Sequence, residues 1–267
     1  MTEANMDVAI GSFTNLRDMG GLVCGAKTLR RGKLFRSSAL SSKNRKDKQL
    51  LDSLDLDMII DLRTPEEILE KPDYIPKRCE FINASVYKLD EFRYITSTKD
   101  TLKDILRLRR QEADILRQSK LRAYGQMPFA PEFNEIFRQM DHGRTIAFHC
   151  SEGKDRTGIA AMLIEFAFGR SEEQVRYEYL RSNQYFIGRN ASQQRLLRII
   201  RVDSDHYRNL VYCMSTHDEL FDTALTAIRE RYVDIPTFLR EAHGISTDRI
   251  QAWEQYYLID QPSYDAR

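Results

Sequence analysis

The stretch "TIAFHCSEGKDRTGIAAMLIEFAFG", residues 145–169, decides the fold. Thr145–Phe148 is short and apolar and reads as a buried strand. Gly158–Phe168 is an almost uniformly apolar run of helical length, ending at Gly169, and reads as a deeply buried helix. The polar, positively charged segment between them then sits just after the strand at Cys150 and enters the helix at Arg156. Ser151–Arg156 must curl so that backbone N–H groups converge at the positive end of that helix, a geometry that holds a phosphate-sized anion. Gly153 and Gly158 permit backbone angles and close approach that side chains obstruct. Arg156 supplies a planar fork for two phosphate oxygens.

The same surroundings act on the sulfur. A helix N-terminus and nearby cations favour a cysteine thiolate. Beneath a bound phosphate, Cys150 could attack phosphorus in line, giving a phosphocysteine that water hydrolyses. Arg156 and the amides of Ser151, Glu152, Gly153, Lys154 and Asp155 would steady the charge on the equatorial oxygens. The loop supplies the positive field, so no metal and no cofactor is expected. The leaving oxygen needs a proton. Asp155 is the nearest candidate acid, Asp61 a second at the end of another strand, and Asp73 a weaker third. Lys154 should add charge for substrates with more than one phosphate. His149 is expected to orient the loop rather than act as a base. The bland alternative is a core cysteine and a C-x5-R that arose by chance. The conjunction H-C-x-x-G-K-D-R-T-G between a strand and a buried helix is far more specific than either part.

Working outward, Leu54–Asp61 reads as a strand, followed by a helix with Thr64 as N-cap, Pro65 in its first turn and Glu67 closing a capping box. Ala130–Met140, a helix from Ser171 to about Leu180, Ala191–Val202, His217–Arg231, Pro236–Ala242 and Thr247–Tyr257 read as further helices. The pattern is an α/β fold with a mainly parallel central sheet flanked by helices. The whole chain reads as a single domain with one insertion, Thr98–Arg122. That insertion carries an apolar helical stripe and seven basic against three acidic residues between Thr101 and Arg122. It is either a solvated amphipathic helix or a basic lid over a site for acidic substrates. The 267 residues carry a net charge of +1, which gives no pointer to nucleic acid. The sequence shows no membrane-span run and no visible signal peptide. Four cysteines without a C-x-x-C fit free thiols in a reducing, cytoplasmic setting rather than a zinc site, with export by a leaderless route left open.

At this point the residues resemble a known group. "HCSEGKDRTG" is similar to the phosphate loop of cysteine-dependent protein tyrosine phosphatases, nearest to the bacterial branch of secreted-tyrosine-phosphatase-B-like protein and lipid phosphatases. "NLRDMGG" (15–21), "LRRGKLFRSSALS" (29–41), "IIDLRTPEE" (59–67), "YLRSN" (179–183) and "FLREAHGIS" (238–246) extend the resemblance over roughly residues 13–257. It implies the protein tyrosine phosphatase fold, Cys150 as nucleophile, Arg156 as phosphate binder and Asp155 as acid or substrate contact. The Asp155 role follows because that branch lacks the separate WPD acid loop, which is missing here too, the lone tryptophan being Trp253; Asp61, in the "DLR" segment, is implied as a helper. It also places a helical lid where Thr98–Arg122 lies. Phosphotyrosine proteins are the implied substrates, with phosphoserine, phosphothreonine and phosphoinositides as further ones.

Several residues carry a structural reading beside the functional one. Asn15, Arg17 and Asp18 with Gly20 and Gly21 read as a turn near the site. Arg63 reads as a partner for a carboxylate at the sheet edge. Tyr124 reads as packing before substrate stacking. Cys24 or Cys79 are candidates for a protective disulfide with Cys150 under oxidation. Two rival functions remain at this level: a catalytically silent phosphate-binding module on the same fold, and a rhodanese-type sulfurtransferase, which the Lys-Asp-Arg-Thr-Gly continuation disfavours.

Overall fold

The computed structural model describes residues 13–42, 44–86, 110–187, 191–192, 194–195 and 204–261. A five-stranded sheet runs in the order β1 (Arg17–Asp18), β4 (Leu34–Ser37), β7 (Ile146–His149), β5 (Met58–Asp61), β6 (Glu80–Asn83). Strands β4, β7, β5 and β6 are mutually parallel, and only β1 runs against its neighbour. A small antiparallel sheet joins β2 (Val23–Cys24), β3 (Lys27–Leu29) and β8 (Leu258–Asp260).

Side chains on the central strands alternate between two apolar clusters, as the strand period of two demands. Leu34, Met58, Ile60, Ile146 and Phe148 face one cluster. Phe35, Ile59 and Ala147 face the other. Burial on both faces is the reason these strands read as continuous apolar runs. The larger cluster takes up the apolar residues of the central helix α5 (Arg156–Ala167), whose whole circumference is buried. On the opposite face, α1 (Arg45–Ser53) contributes Leu51.

The register fixes the site. Ser37, His149, Asp61 and Asn83 stand side by side as the last residues of their strands. The loop after β7 therefore opens at the carboxyl edge of the sheet, where ligands of α/β folds bind. The remaining helices are α2 (Pro65–Glu70), α3 (Arg110–Gln126), α4 (Asn134–Met140), α6 (Glu172–Leu180), α7 (Ser204–Met214), α8 (Asp218–Arg229), α9 (Ile235–His243) and α10 (Thr247–Tyr257).

Sequence and structure differ mainly at element ends. The strand read at Leu54–Asp61 is confined to Met58–Asp61, because Leu54 caps α1 and Asp55 takes a left-handed φ of 49°. The helix read at Ala130–Met140 begins as a 3₁₀ turn, Pro131–Phe133. The capping boxes at Thr64–Glu67 and Ser171–Gln174 are both formed. Most of Ala191–Val202 and the first part of the insertion, residues 98–109, lie outside the described residues. Among the described residues, no helix is long and apolar enough to cross a membrane.

Candidate active site

Cys150 follows β7 directly and is buried at the base of the loop. The loop's shape is set from outside. Ala39 N–H donates to the Ser151 carbonyl at 3.3 Å. The Asn15 amide donates to the carbonyls of Glu152 (3.2 Å) and Gly153 (2.7 Å), and Arg36 donates to Gly153 at 3.1 Å. In a planar trans peptide the N–H points opposite to the carbonyl before it. Three outward carbonyls therefore turn the amides of Glu152, Gly153 and Lys154 toward the inside, the arrangement that binds anions. Gly153 sits at φ 69°, and a Cβ there would meet the Ser37 carbonyl oxygen at 2.4 Å. Asn15 itself takes φ 61°, and its side-chain oxygen accepts from Arg17. Arg17 in turn is paired with Glu178 of α6 at 2.8 Å. Asn15 and Arg17 thus brace the loop, while Arg17–Asp18, read from its residue types as part of a turn, is strand β1. Arg36 is wholly buried, and among the described residues its Nε and Nη1 have no hydrogen-bond partner.

Arg156 enters α5 with its fork already held. Its Nη1 and Nη2 donate to the two carboxylate oxygens of Glu67 at 2.7 and 2.8 Å. Nη1 also reaches the Leu62 carbonyl at 3.3 Å, and Nη2 reaches Ser151 Oγ at 3.3 Å. The Ser151 hydroxyl donates to the same Glu67 carboxylate. Burial pushes the Glu67 carboxyl up, but the Arg156 hydrogen bonds and charge outweigh it and hold the group below the usual carboxylate range. From the sequence, Glu67 showed only as the N3 residue of a capping box. Its second role, across 89 positions, carried no local signal.

Asp155 is oriented by α3. Its Oδ1 accepts from the Tyr124 hydroxyl at 2.7 Å and lies 3.1 Å from Lys120 Nζ. Burial raises its pKa, and the charges of Lys120 and Lys154 with the Tyr124 hydrogen bond bring it below its ordinary value. Lys154 is almost fully buried. Its ammonium pairs with Glu152 at 2.6 Å and donates to the carbonyls of Met214 (2.9 Å) and Cys213 (3.3 Å) at the end of α7. Lys120 Nζ donates to the Cys213 and Ser215 carbonyls, so both lysines converge on the negative end of that helix.

Asp61, Asp73 and His149 form a separate buried cluster. Arg63 Nη2 lies 2.7 Å from Asp61 and 2.6 Å from Asp73, so the sheet-edge pairing read for Arg63 is doubled. His149 Nε2 lies 3.1 Å from Asp73, and its Nδ1 lies 3.8 Å from Asp61 and 3.3 Å from the Cys150 carbonyl. Burial lowers the His149 pKa, but the Asp73 and Asp61 charges outweigh it and carry the imidazole up to about 9. Burial raises Asp73, and His149 and Arg63 bring it down to about 2. The donor atoms of the three residues lie within 4.8 Å of one another, as metal ligands would. The guanidinium of Arg63 already sits on both carboxylates, a donor set neutralised by a cation of its own. Asp61 is wholly buried under this guanidinium. The four cysteines are all unpaired, and burial drives the thiols of Cys24 and Cys79 up to about 12.

A mainly parallel sheet whose central strand runs into a loop with three inward amides, an arginine and a buried helix is the α/β arrangement of a phosphatase fold. The chain belongs to the tyrosine phosphatase family, whose model matches residues 8–259. It is similar to a Cupriavidus necator protein named "Putative tyrosine-protein phosphatase H16_A0669", with 29% identity over 252 residues, covering 92% of this chain and 87% of that one. It is also similar to a tyrosine-protein phosphatase of Nostoc commune, with 25% identity over 167 residues, covering 62% of this chain and 53% of that protein. Family membership supports phosphatase activity on phosphoprotein substrates.

Proposed function

We propose that the chain is a metal-independent phosphatase that hydrolyses phosphotyrosine through a phosphocysteine intermediate. The observation that carries this is the loop itself: three outward carbonyls, inward amides and an arginine fork held at its rim. Cys150 attacks phosphorus, and the amides of residues 151–156 with Arg156 hold the equatorial oxygens. Asp155 protonates the leaving oxygen. A phosphate dianion in the loop adds negative charge beside Asp155 and so raises it toward the protonated form. Asp61 anchors Arg63 and His149 in this reading, and His149 in turn fixes the strand end that carries Cys150. We assign the chain to the bacterial branch that "HCSEGKDRTG" resembles, acting as a single domain in the cytoplasm with its basic insertion at residues 98–122. Phosphoserine, phosphothreonine and phosphoinositide turnover are extensions of the same chemistry, supported by the basic composition of that insertion.

Cys150→Ser should abolish release of phosphate from phosphotyrosine peptides while vanadate or phosphate still binds. Unchanged turnover removes the mechanism. A panel of phosphotyrosine, phosphoserine and phosphoinositide substrates separates the substrate classes, and sulfur transfer from thiosulfate without phosphate release would favour the sulfurtransferase instead.

A further inference from the structure

Asp155 occupies the N-cap position of α5, where an aspartate ordinarily accepts from amides of the first turn. Its side chain makes no such bond. The carboxylate is turned instead to groups from two other helices. Tyr124 donates to Oδ1, Lys120 stands on the same oxygen, and the Tyr179 hydroxyl of α6 donates to the Tyr124 hydroxyl at 2.8 Å. Lys120 and Tyr124 are one turn apart on α3 and share a face. Both tyrosine rings are buried and meet edge to face at 6.3 Å. Lys120 also donates to the carbonyls of Cys213 and Ser215, at 3.2 Å each, which fixes all three of its protons. Among the described residues no hydrogen bond ends on Asp155 Oδ2.

We propose that Lys120 and Tyr124, backed by Tyr179, are positioning residues that hold Asp155 by Oδ1 and leave Oδ2 to carry the proton of the reaction. The inference rests on the reading of Asp155 as proton donor. In the first step the S–P bond forms and the P–O bond breaks. The electron pair goes to the leaving oxygen, which takes the proton from Oδ2. In the second step water attacks phosphorus and gives its proton to the Asp155 carboxylate. The P–S bond breaks, and the thiolate and inorganic phosphate are restored. The Tyr124 hydroxyl and Lys120 ammonium stabilise the carboxylate form that the second step requires.

The groups facing Asp155 are Lys120 and Tyr124 from α3, Tyr179 from α6, Cys213 from α7, and Lys154 of its own loop. Removing the Lys120 charge lets the acid form of Asp155 survive to higher pH. The descending limb of kcat/KM against pH then moves upward.

The test measures phosphate release by Lys120→Met and Tyr124→Phe from p-nitrophenyl phosphate, a good leaving group, and phenyl phosphate, a poor one, across the pH range. Lys120→Met should move the descending limb up by about one unit, and Lys120→Arg should restore it. Tyr124→Phe should lose about tenfold more on phenyl phosphate than on p-nitrophenyl phosphate, since only the poor leaving group depends on the proton. Equal losses on both substrates, with the limb in place, overturn the positioning role and leave α3 a packing element. A wild-type chain that releases no phosphate defeats the underlying phosphatase reading, a Cys150→Ser chain that still does defeats its cysteine mechanism, and either takes this role with it.

Discussion

Glu67→Gln is the most searching perturbation of the site. It keeps the shape of the side chain and an oxygen for the Thr64 amide at 3.0 Å, so the start of α2 survives. It removes the charge facing Arg156 and turns an amide NH₂ toward a guanidinium that keeps only one of its two Glu67 acceptors. Both partners are largely buried, with 6% and 7% of their side chains exposed. Breaking such a pair from one side costs about 3–5 kcal/mol, because the remaining charge stays buried without its partner. For a chain of this size that lowers Tm by on the order of 10 °C. The freed fork also drifts, and a displacement of about 1 Å lowers kcat/KM by roughly a hundredfold. A bound phosphate supplies the missing negative charge, so phosphate should raise Tm more in the variant than in the wild type. Calorimetry with and without phosphate, and steady-state hydrolysis of an aryl phosphate, read both effects. A variant with wild-type Tm, wild-type kcat/KM and no added response to phosphate would refute the claim that Glu67 holds the arginine.

Gly153→Ala forces a side chain into a left-handed turn against the Ser37 carbonyl and should lose about 2 kcal/mol or more together with phosphate binding. Gly169→Ala has a similar φ of 74° but open space around its Cβ, and should lose only the backbone part and keep full activity. His149 holds its proton to about pH 9 in the folded chain, against an ordinary 6.5. Its contribution is therefore complete below pH 6.5 and is lost as pH rises through about 9. Denaturation across that range should show a fall of at most about 3 kcal/mol in the wild type and a flatter profile in His149→Gln.

The strand, loop and helix at residues 145–169 were legible because apolar periodicity, glycine and a charged loop coincide within 25 residues. The start of α6 was legible from its capping box, and α9 and α10 were legible as helical stretches at Pro236–Ala242 and Thr247–Tyr257. The short strands were not. Arg17–Asp18 and Val23–Cys24 are two residues each, and only their pairing with Phe35–Arg36 and Lys27–Thr28 makes them strands. The same holds in the site. Asp155, Arg156 and Cys150 share one local motif, whereas Glu67, Lys120 and Tyr124 reach it from 31 to 89 positions away. Lys120 was counted as one charge of a basic insertion, yet in the fold it is buried on Asp155 and the end of α7. Asp61 stood out as a carboxylate at a strand end, and the arginine two residues later takes it up.

The outer braces of the phosphate loop have a bearing on how the chain matures. Residues 15, 36 and 39 leave the ribosome more than a hundred positions ahead of the segment they shape. Nothing downstream can form the cup until that early segment comes back to it. A product shortened at its beginning by some forty residues would keep every letter of the signature and still present a slack loop. Motif scanning would score such a truncated gene product as intact, although the protein could not hold an oxyanion.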